Sequence, residues 1–465
     1  MTYRILDYLN FSNAKNPDAD SGLISQISLI RYIIQKYDDC FFYFVVPKEL
    51  EFYVRNKLPR ERVYIAPLSY MCRQNGGIYH FDIQALNRAL DLRKIEIDVL
   101  FVNQPEVIPH FLYYFNKVHF YDLRVVGYVH WMDWWKKGRV KNRWNVPANL
   151  SLLSGIFLSD FCGCNSEYAK KKILAEADNF FNNEAVAEIE SKLQPLYVGA
   201  DVCEINQNSS KKKFTKKTII FPFRTLNYTG LNRLLKSLNA LWRRRKDFQL
   251  LLTNPNRVGY AKKYPFVTVQ SFNRDEYLQK LSASDIVIGC HEGANGWSIG
   301  LIEAICARCI PLVRNAYFLP ELMQVNRLKG KLDISRYMYD ESDFLPKLNY
   351  ILDNLQVETE RAEPMFAFFS DFYDWRNLSL KWYKQIKTVS SSSPTIKPHT
   401  SATKKIQKLI SSSDKCAKER ILKSLNWHTK SRYIAWTQYR NYLRTYFDED
   451  ITNAEVLYFK RRHRN

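Results

Sequence analysis

From Ser284 to Ala304 the chain reads Ser-Asp-Ile-Val-Ile-Gly-Cys-His-Glu-Gly-Ala-Asn-Gly-Trp-Ser-Ile-Gly-Leu-Ile-Glu-Ala, an order of residue types suited to a phosphate-bearing ligand. The apolar run Ile286–Gly289 predicts a buried strand, the glycines a turn, and the residues from about Gly296 a helix. Unpaired amides at a helix start attract a diphosphate, and glycine lets it come close to the backbone. Glu303 stands two turns further on. An ionised carboxylate only accepts hydrogen bonds, so it suits the two hydroxyls of a ribose.

Such residues need a sheet and helices to hold them, and the rest of the chain predicts both. Short apolar runs bounded by turn residues alternate with longer helical patterns, the mark of an α/β fold with parallel strands. In the first half the expected strands are Arg4–Leu9, Cys40–Val46, Val99–Asn103 and Val125–His130. A helix starts near Gly22, with Leu23, Ile27, Ile30 and Ile34 on one face. The polar loop between Leu9 and Gly22 is too long for a tight turn, and loops at strand ends of this kind shape binding crevices. After the lysine-rich stretch Lys211–Lys217 a second set begins, with strands Thr218–Pro222, Phe248–Leu252, Val267–Val269, Ile286–Gly289 and Ile310–Val313. Its helices are expected at about Leu231–Arg245, Asp275–Ser282 and Trp297–Ala307. Two doubly wound halves in series put a cleft between them, with ligands at the strand ends. The expected units are residues 1–205, 206–388, a Ser/Pro/Thr linker at 389–403, and a basic unit at 404–465.

The totals agree with a large folded protein that meets a polyanion. Of 465 residues, 46% are hydrophobic, which argues against wholesale disorder. Lys plus Arg number 69 against 47 acids, a net charge of +22, which favours nucleic acid or an anionic membrane face as partner. The nine cysteines lack paired spacing, so they read as reduced thiols, and no zinc pattern is complete. The N-terminus enters a strand-like run at Tyr3, not a signal peptide, and no apolar stretch approaches the roughly 20 residues of a membrane span. A cytoplasmic protein without a transmembrane segment is therefore expected.

The Ser284–Ala304 stretch resembles the donor site of the retaining GT-B glycosyltransferases (group 1 type), where a strand ending in Ala-Asp leads to Glu-Gly-Phe-Gly and a second Glu eight residues on. Asn295-Gly296-Trp297-Ser298 stands at the Glu-Gly-Phe-Gly places and Glu303 at the second Glu. The first acid is thus Asn here, or it has moved to Glu292. Phe221-Pro-Phe-Arg224-Thr-Leu-Asn-Tyr-Thr229-Gly230 resembles the family's loop with an Arg and then a Lys before a Gly. Arg224 fits the arginine, implying that it neutralises the leaving diphosphate. Thr229 holds the lysine place, and Lys236 or Arg233 could compensate. Val125-Val-Gly-Tyr-Val-His130 puts a histidine where the family keeps one near the transferred sugar.

Ser159–Glu167 resembles the family's strand and Ser cap, Tyr197–Asp201 the Gly-x-Asp that ends the first domain, and Asp374-Trp375 the start of a final helix crossing back onto it. The resemblance spans about residues 1–388. It implies a GT-B fold, a nucleotide-sugar co-substrate (UDP-sugar), no tightly bound cofactor, and no metal. His130 and Arg224 are its catalytic residues; Gly22, Thr229, Asn295, Gly296, Trp297, Ser298 and Glu303 its donor contacts. Asp18-Ala19-Asp20 reads like the metal clamp of the other glycosyltransferase architecture, but it lies far in sequence from the donor segment and is expected to face the acceptor.

In 404–465, fifteen Lys/Arg stand against six acids. The pattern predicts three helices and a short strand pair, a small winged-helix-like α(+β) unit. On the expected helix Trp436–Tyr446, Thr437, Arg440, Asn441 and Arg444 share the face opposite Trp436, Tyr439 and Leu443. These are residue types that contact phosphates and base edges of duplex DNA, and Lys460-Arg461-Arg462 would reach backbone phosphates. Asn426-Trp427 with Trp436–Arg440 and Leu443 resembles small helix-turn-helix modules appended to phage DNA-modification proteins. Together the parts imply sugar transfer onto a hydroxymethylated pyrimidine in DNA, in the host cytoplasm if phage-encoded, with retention of configuration. Two other readings stay open: a surface-polysaccharide or lipid-linked-sugar glycosyltransferase whose tail touches a membrane peripherally, and a non-catalytic DNA-binding protein on a GT-B scaffold.

Overall fold

The computed structural model describes residues 2–9, 17–68, 73–74, 78–79, 83–92, 94–115, 123–130, 145–210, 212–225, 227–253, 259–292, 297–330 and 332–391. Asn295 and Gly296 lie outside the described residues, as does the basic unit 404–465, with Thr437, Arg440, Asn441, Arg444, Lys460, Arg461 and Arg462.

Two parallel sheets follow one another along the chain. The first has seven strands: β1 Tyr3–Tyr8, β2 Cys40–Pro47, β3 Val63–Leu68, β4 Val99–Val102, β5 Arg124–Val129, β6 Phe161–Cys164 and β7 Leu193–Pro195. Their order across the sheet is β3-β2-β1-β4-β5-β6-β7, all parallel. The second has six: β8 Lys217–Phe221, β9 Phe248–Leu252, β10 Val267–Val269, β11 Ile286–Gly289, β12 Ile310–Arg314 and β13 Met338–Tyr339. Its order, β10-β9-β8-β11-β12-β13, repeats that of the first. Each sheet therefore reverses direction once, between β1 and β4 and between β8 and β11, and ligands bind outside the strand ends at such switch points.

The central strands are apolar because both faces are covered: every residue of β4, β6 and β11 is buried. The strands expected in the two halves all form within one residue of their predicted bounds. Strands β3, β7 and β13 are not among those expected. All three lie at sheet edges, and β3 and β7 carry Pro67 and Pro195, which interrupt a strand pattern and are tolerated at an edge.

Helix α1, Ser21–Lys36, buries Leu23, Ile27, Ile30 and Ile34 as its periodicity requires, and Asp20 caps it by accepting from the Leu23 amide at 3.0 Å. Ser166 caps α2, Glu167–Ala177, in the same way at 2.9 Å. The chain passes between the sheets through the short helix α3, Val202–Gln207. It returns at a parallel bridge between Ala200 and Asp374, followed by α7, Trp375–Ser391. Trp382 of α7 packs on Phe101 and Tyr128 of the first sheet at ring distances of 5.5 and 4.9 Å. Residues 389–391, expected in the linker, instead complete the last turn of α7, where Val389 is buried; the rest of the expected linker lies outside the described residues.

Candidate active site

Four segments at strand ends meet where the two sheets face one another. After β1, Asp20, Ser21 and Gly22 open α1; after β5 comes His130; after β8 comes Arg224; and after β11 the chain leads to α6, Ile299–Cys306. His130 Nε2 lies 3.2 Å from Ser21 Oγ, and the His130 carbonyl accepts from Asn165 Nδ2 at 3.0 Å. Gly22 sits against the same ring: a side chain there would begin 3.5 Å from His130 Cδ2 and 3.2 Å from Asp20 Oδ1. Burial, helped by the nearby Arg224 charge, holds the imidazole down at about 4, so His130 is neutral at physiological pH. The Arg224 guanidinium is half exposed and reaches across to Asp20, with 4.0 Å between Nη2 and Oδ2. Asp20 is itself pushed up by burial, against the lowering effects of the Leu23 amide and Arg224. Its sequence context predicts an acceptor-facing loop; in the structure Asp20 is both helix cap and counter-ion of Arg224. Asp18 accepts from the Tyr53 hydroxyl at 2.7 Å.

A cavity lies beneath His130, bordered by Gly22, Ser25, Gln26, Asn103, Tyr128 and Trp382. Ser25 Oγ, the Tyr128 hydroxyl and Trp382 Nε1 have no hydrogen-bond partner among the described residues. Behind it, the buried Asp7 accepts from Gln26, and burial pushes its carboxyl well above the usual range.

On the second sheet, Thr229 and Trp297 do not stand as expected. Thr229 is 1% exposed, and its carbonyl accepts from Cys290 Sγ at 3.2 Å. The following Gly230 has φ +77°, and a Cβ there would come within 2.0 Å of the Cys290 carbonyl oxygen, so glycine is required where the loop enters α4, Leu231–Trp242. Trp297 is 7% exposed and serves the junction between the sheets: Nε1 donates to the Val198 carbonyl at 2.8 Å, and the indole stacks on Tyr197 at 5.0 Å. Its indole N–H is therefore committed to the seam between the sheets. A bulky aromatic at this place is drawn into the apolar seam that the first domain offers.

Helix α6 opens at Ile299 with Ser298 as its cap residue, not at Gly296, and the Ser298 side chain makes no capping bond. Its start lies tight against the loop after β8: a Cβ on Gly300 would be 2.8 Å from the Pro222 carbonyl oxygen. That contact packs the start of α6 against the loop that carries Arg224 two residues further on. Glu303 is 4% exposed and faces α5, Arg274–Ala283, where Arg274 Nη2 reaches Oε1 at 2.7 Å and the Tyr277 hydroxyl donates to Oε2 at 3.0 Å. Arg274 is not among the residues expected from the sequence. Glu292, the alternative first acid, pairs with Arg233 at 2.6 Å; Arg233 also pairs with Glu341, which in turn binds Arg314 at 2.7 Å. Arg233 is thereby engaged at the sheet end by two carboxylates. The structure thus gathers His130, Gly22 and Arg224 on one side, sets Ser298 at the start of α6 and Glu303 within it, buries Thr229 against Cys290 at the end of β11, and commits the Trp297 indole to the seam.

Among the described residues, no group of three or more His, Cys, Asp or Glu side chains could hold a metal, and no helix is long and apolar enough to cross a membrane. No protein-family model matches the sequence, and no curated protein matches it. Solved structures do match in shape. A glycosyltransferase from Rickettsia africae ESF-5 superposes with a TM-score of 0.59 at 12% identity, over 84% of this chain and 100% of that one. Sucrose-phosphate synthase from Thermosynechococcus elongatus gives 0.59 at 10%, over 84% and 100%. Anabaena HepE in complex with UDP-glucose gives 0.58 at 10%, over 83% and 99%. At such identities the likeness is one of fold, and with the two repeated strand orders it identifies the architecture as GT-B: two Rossmann-like domains facing a cleft.

Proposed function

We propose that the protein is a glycosyltransferase that takes a sugar from a UDP-sugar and places it on a hydroxymethylated pyrimidine of duplex DNA, with retention at the anomeric carbon. The observation that carries the enzymatic part is the cross-cleft arrangement of Arg224, from the second domain, with Asp20, Ser21 and His130 from the first. A cation that is half exposed at a strand end is placed to take up charge on a departing diphosphate. Neutral His130 offers the sugar a hydrogen bond without adding charge. Helix α6 starts against the loop that carries Arg224 and bears Glu303, which supports a reading in which its first amides take the diphosphate and Glu303 the ribose. Anabaena HepE, a protein of this fold, was solved in complex with UDP-glucose, which supports the donor class.

The acceptor rests on sequence. The 404–465 unit concentrates fifteen basic residues against six acids, and Thr437, Arg440, Asn441 and Arg444 carry groups that read DNA edges and phosphates. A hydroxymethyl arm supplies the hydroxyl that unmodified bases lack, and the base is reached from the major groove or by flipping. The proposed units are 1–205 for the acceptor, 206–388 for the donor, and 404–465 for DNA.

Incubating the protein with radiolabelled UDP-glucose and either plain or hydroxymethylcytosine-containing duplex tests this directly. Label is expected on the modified duplex alone, and less of it when residues 404–465 are removed. Label on lipid-linked acceptors and on no DNA would replace this reading with surface-polysaccharide synthesis. Duplex binding without consumption of any nucleotide sugar would leave a non-catalytic DNA-binding protein.

A further inference from the structure

Arg274 occupies an unusual place for an arginine. It is the first residue of α5, whose start is fixed by a capping box between Asn273 and Glu276. A cation in the first turn opposes the helix dipole, and burial adds to the cost. The Arg274 side chain is 7% exposed. Two carboxylates offset this. Nε and Nη2 reach Glu204 Oε2 of α3 at 3.1 and 2.9 Å, and Nη2 reaches Glu303 Oε1 of α6 at 2.7 Å. Burial works to lower the Arg274 pKa, yet Glu303 and Glu204 together raise it above the ordinary arginine range. The guanidinium also lies over the Tyr277 ring, 5.6 Å from its centre.

Glu303 Oε1 thus receives Arg274 and Oε2 receives Tyr277. A carboxylate has about four lone-pair positions, so one on each oxygen is left. Two adjacent hydroxyls, each donating to one oxygen, match that remainder.

We propose that Arg274 is a positioning residue of the donor site, holding the Glu303 carboxylate so that its two remaining lone pairs receive the vicinal 2′ and 3′ hydroxyls of the nucleotide. This rests on the reading of the cleft as a nucleotide-sugar site. Arg274 touches no substrate; it acts through Glu303, and its planar fork spans Glu204 and Glu303 at once. A lysine carries the charge but not the fork.

Calorimetric titration of the full chain with UDP and with 2′,3′-dideoxy-UDP tests the proposal, with thermal unfolding confirming that each variant folds. Wild type is expected to bind UDP about tenfold or more tighter than the dideoxy analogue, since hydrogen bonds to a charged acceptor are at stake. R274Q is expected to bind the two alike, and R274K to keep only part of the preference. If R274Q does not fold, R274K alone carries the test. A folded R274Q or R274K that discriminates as wild type does would overturn the proposal, as would a wild type that binds both nucleotides equally. The donor reading itself fails separately, through a wild type that binds no UDP at all.

Discussion

His130 shows how position changes what a residue type does. An ordinary histidine titrates near 6.5, within the range where it would switch charge. Burial and Arg224 hold this one at about 4. Its contribution to the reaction is therefore expected to be flat with pH between about 5 and 8, with no limb near 6.5 in kcat/KM. His130→Gln retains an amide that can hydrogen bond and should lose less than His130→Ala, for which a loss of about 10-fold matches one neutral hydrogen bond plus lost packing. Stability follows the same group. With a folded value near 4 and an unfolded value near 6.5, protons bind on unfolding between those limits, so the stability is complete above about 6.5 and lost as pH falls towards 4. The buried His291, also held at about 4 by burial, adds to the same slope. Thermal unfolding at pH 7 and pH 5 should show a lower Tm in acid, with a smaller difference in His130→Gln.

At the level of elements, α6 is positioned by its close approach to the loop after β8. Gly300→Ala puts a methyl 2.8 Å from the Pro222 carbonyl oxygen, a backbone atom that cannot swing aside. The helix must shift instead. Overpacking of this kind costs about 1–3 kcal/mol, and UDP affinity should fall by more than the loss of stability in a surface control. Chemical denaturation and UDP titration of the same sample check both. The strands and helices around this contact are legible in the sequence because apolar runs and periodicities are local properties. Edge strands β3, β7 and β13 are not, since a short or proline-bearing strand has no local signal strong enough to separate it from a loop. The neighbours of Trp297 in the chain suggest a donor contact; the partners that claim its indole, Tyr197 and Val198, are about a hundred residues away in the chain. Arg274 does carry a local signal, a cation in a first helical turn, which calls for carboxylate partners elsewhere.

Across the molecule, the two sheets are held together by specific contacts that leave the Arg224–His130 space between them. Glu321 of the second domain accepts from the Glu167 and Tyr168 amides at the start of α2, at 2.7 and 3.0 Å, and from the Tyr197 hydroxyl at 3.2 Å. Trp297 and the Ala200–Asp374 bridge tie the other side of the seam. The described core ends with α7, whose Trp375 and Trp382 are buried against the rest. On the proposed division into units, removing residues 404–465 should leave the Tm and UDP affinity of the core nearly unchanged. It should weaken binding to duplex DNA and flatten its dependence on salt, because each phosphate no longer neutralised by a basic side chain lowers the slope of log K against log salt by about one. Fluorescence anisotropy across a salt series measures this. Equal slopes with and without the tail would assign DNA binding, if present, to the core.

In the proposed reaction Arg224 receives the diphosphate of a nucleotide sugar in the cleft. UDP release from UDP-glucose, followed with hydroxymethylcytosine-containing duplex present, compares wild type with Arg224→Ala most directly. Wild type should turn over, and Arg224→Ala should fall by about 100-fold or more, as removal of one charged donor from a developing anion does. An Arg224→Ala protein that releases UDP as fast as wild type, or a wild type that releases none, would contradict the account.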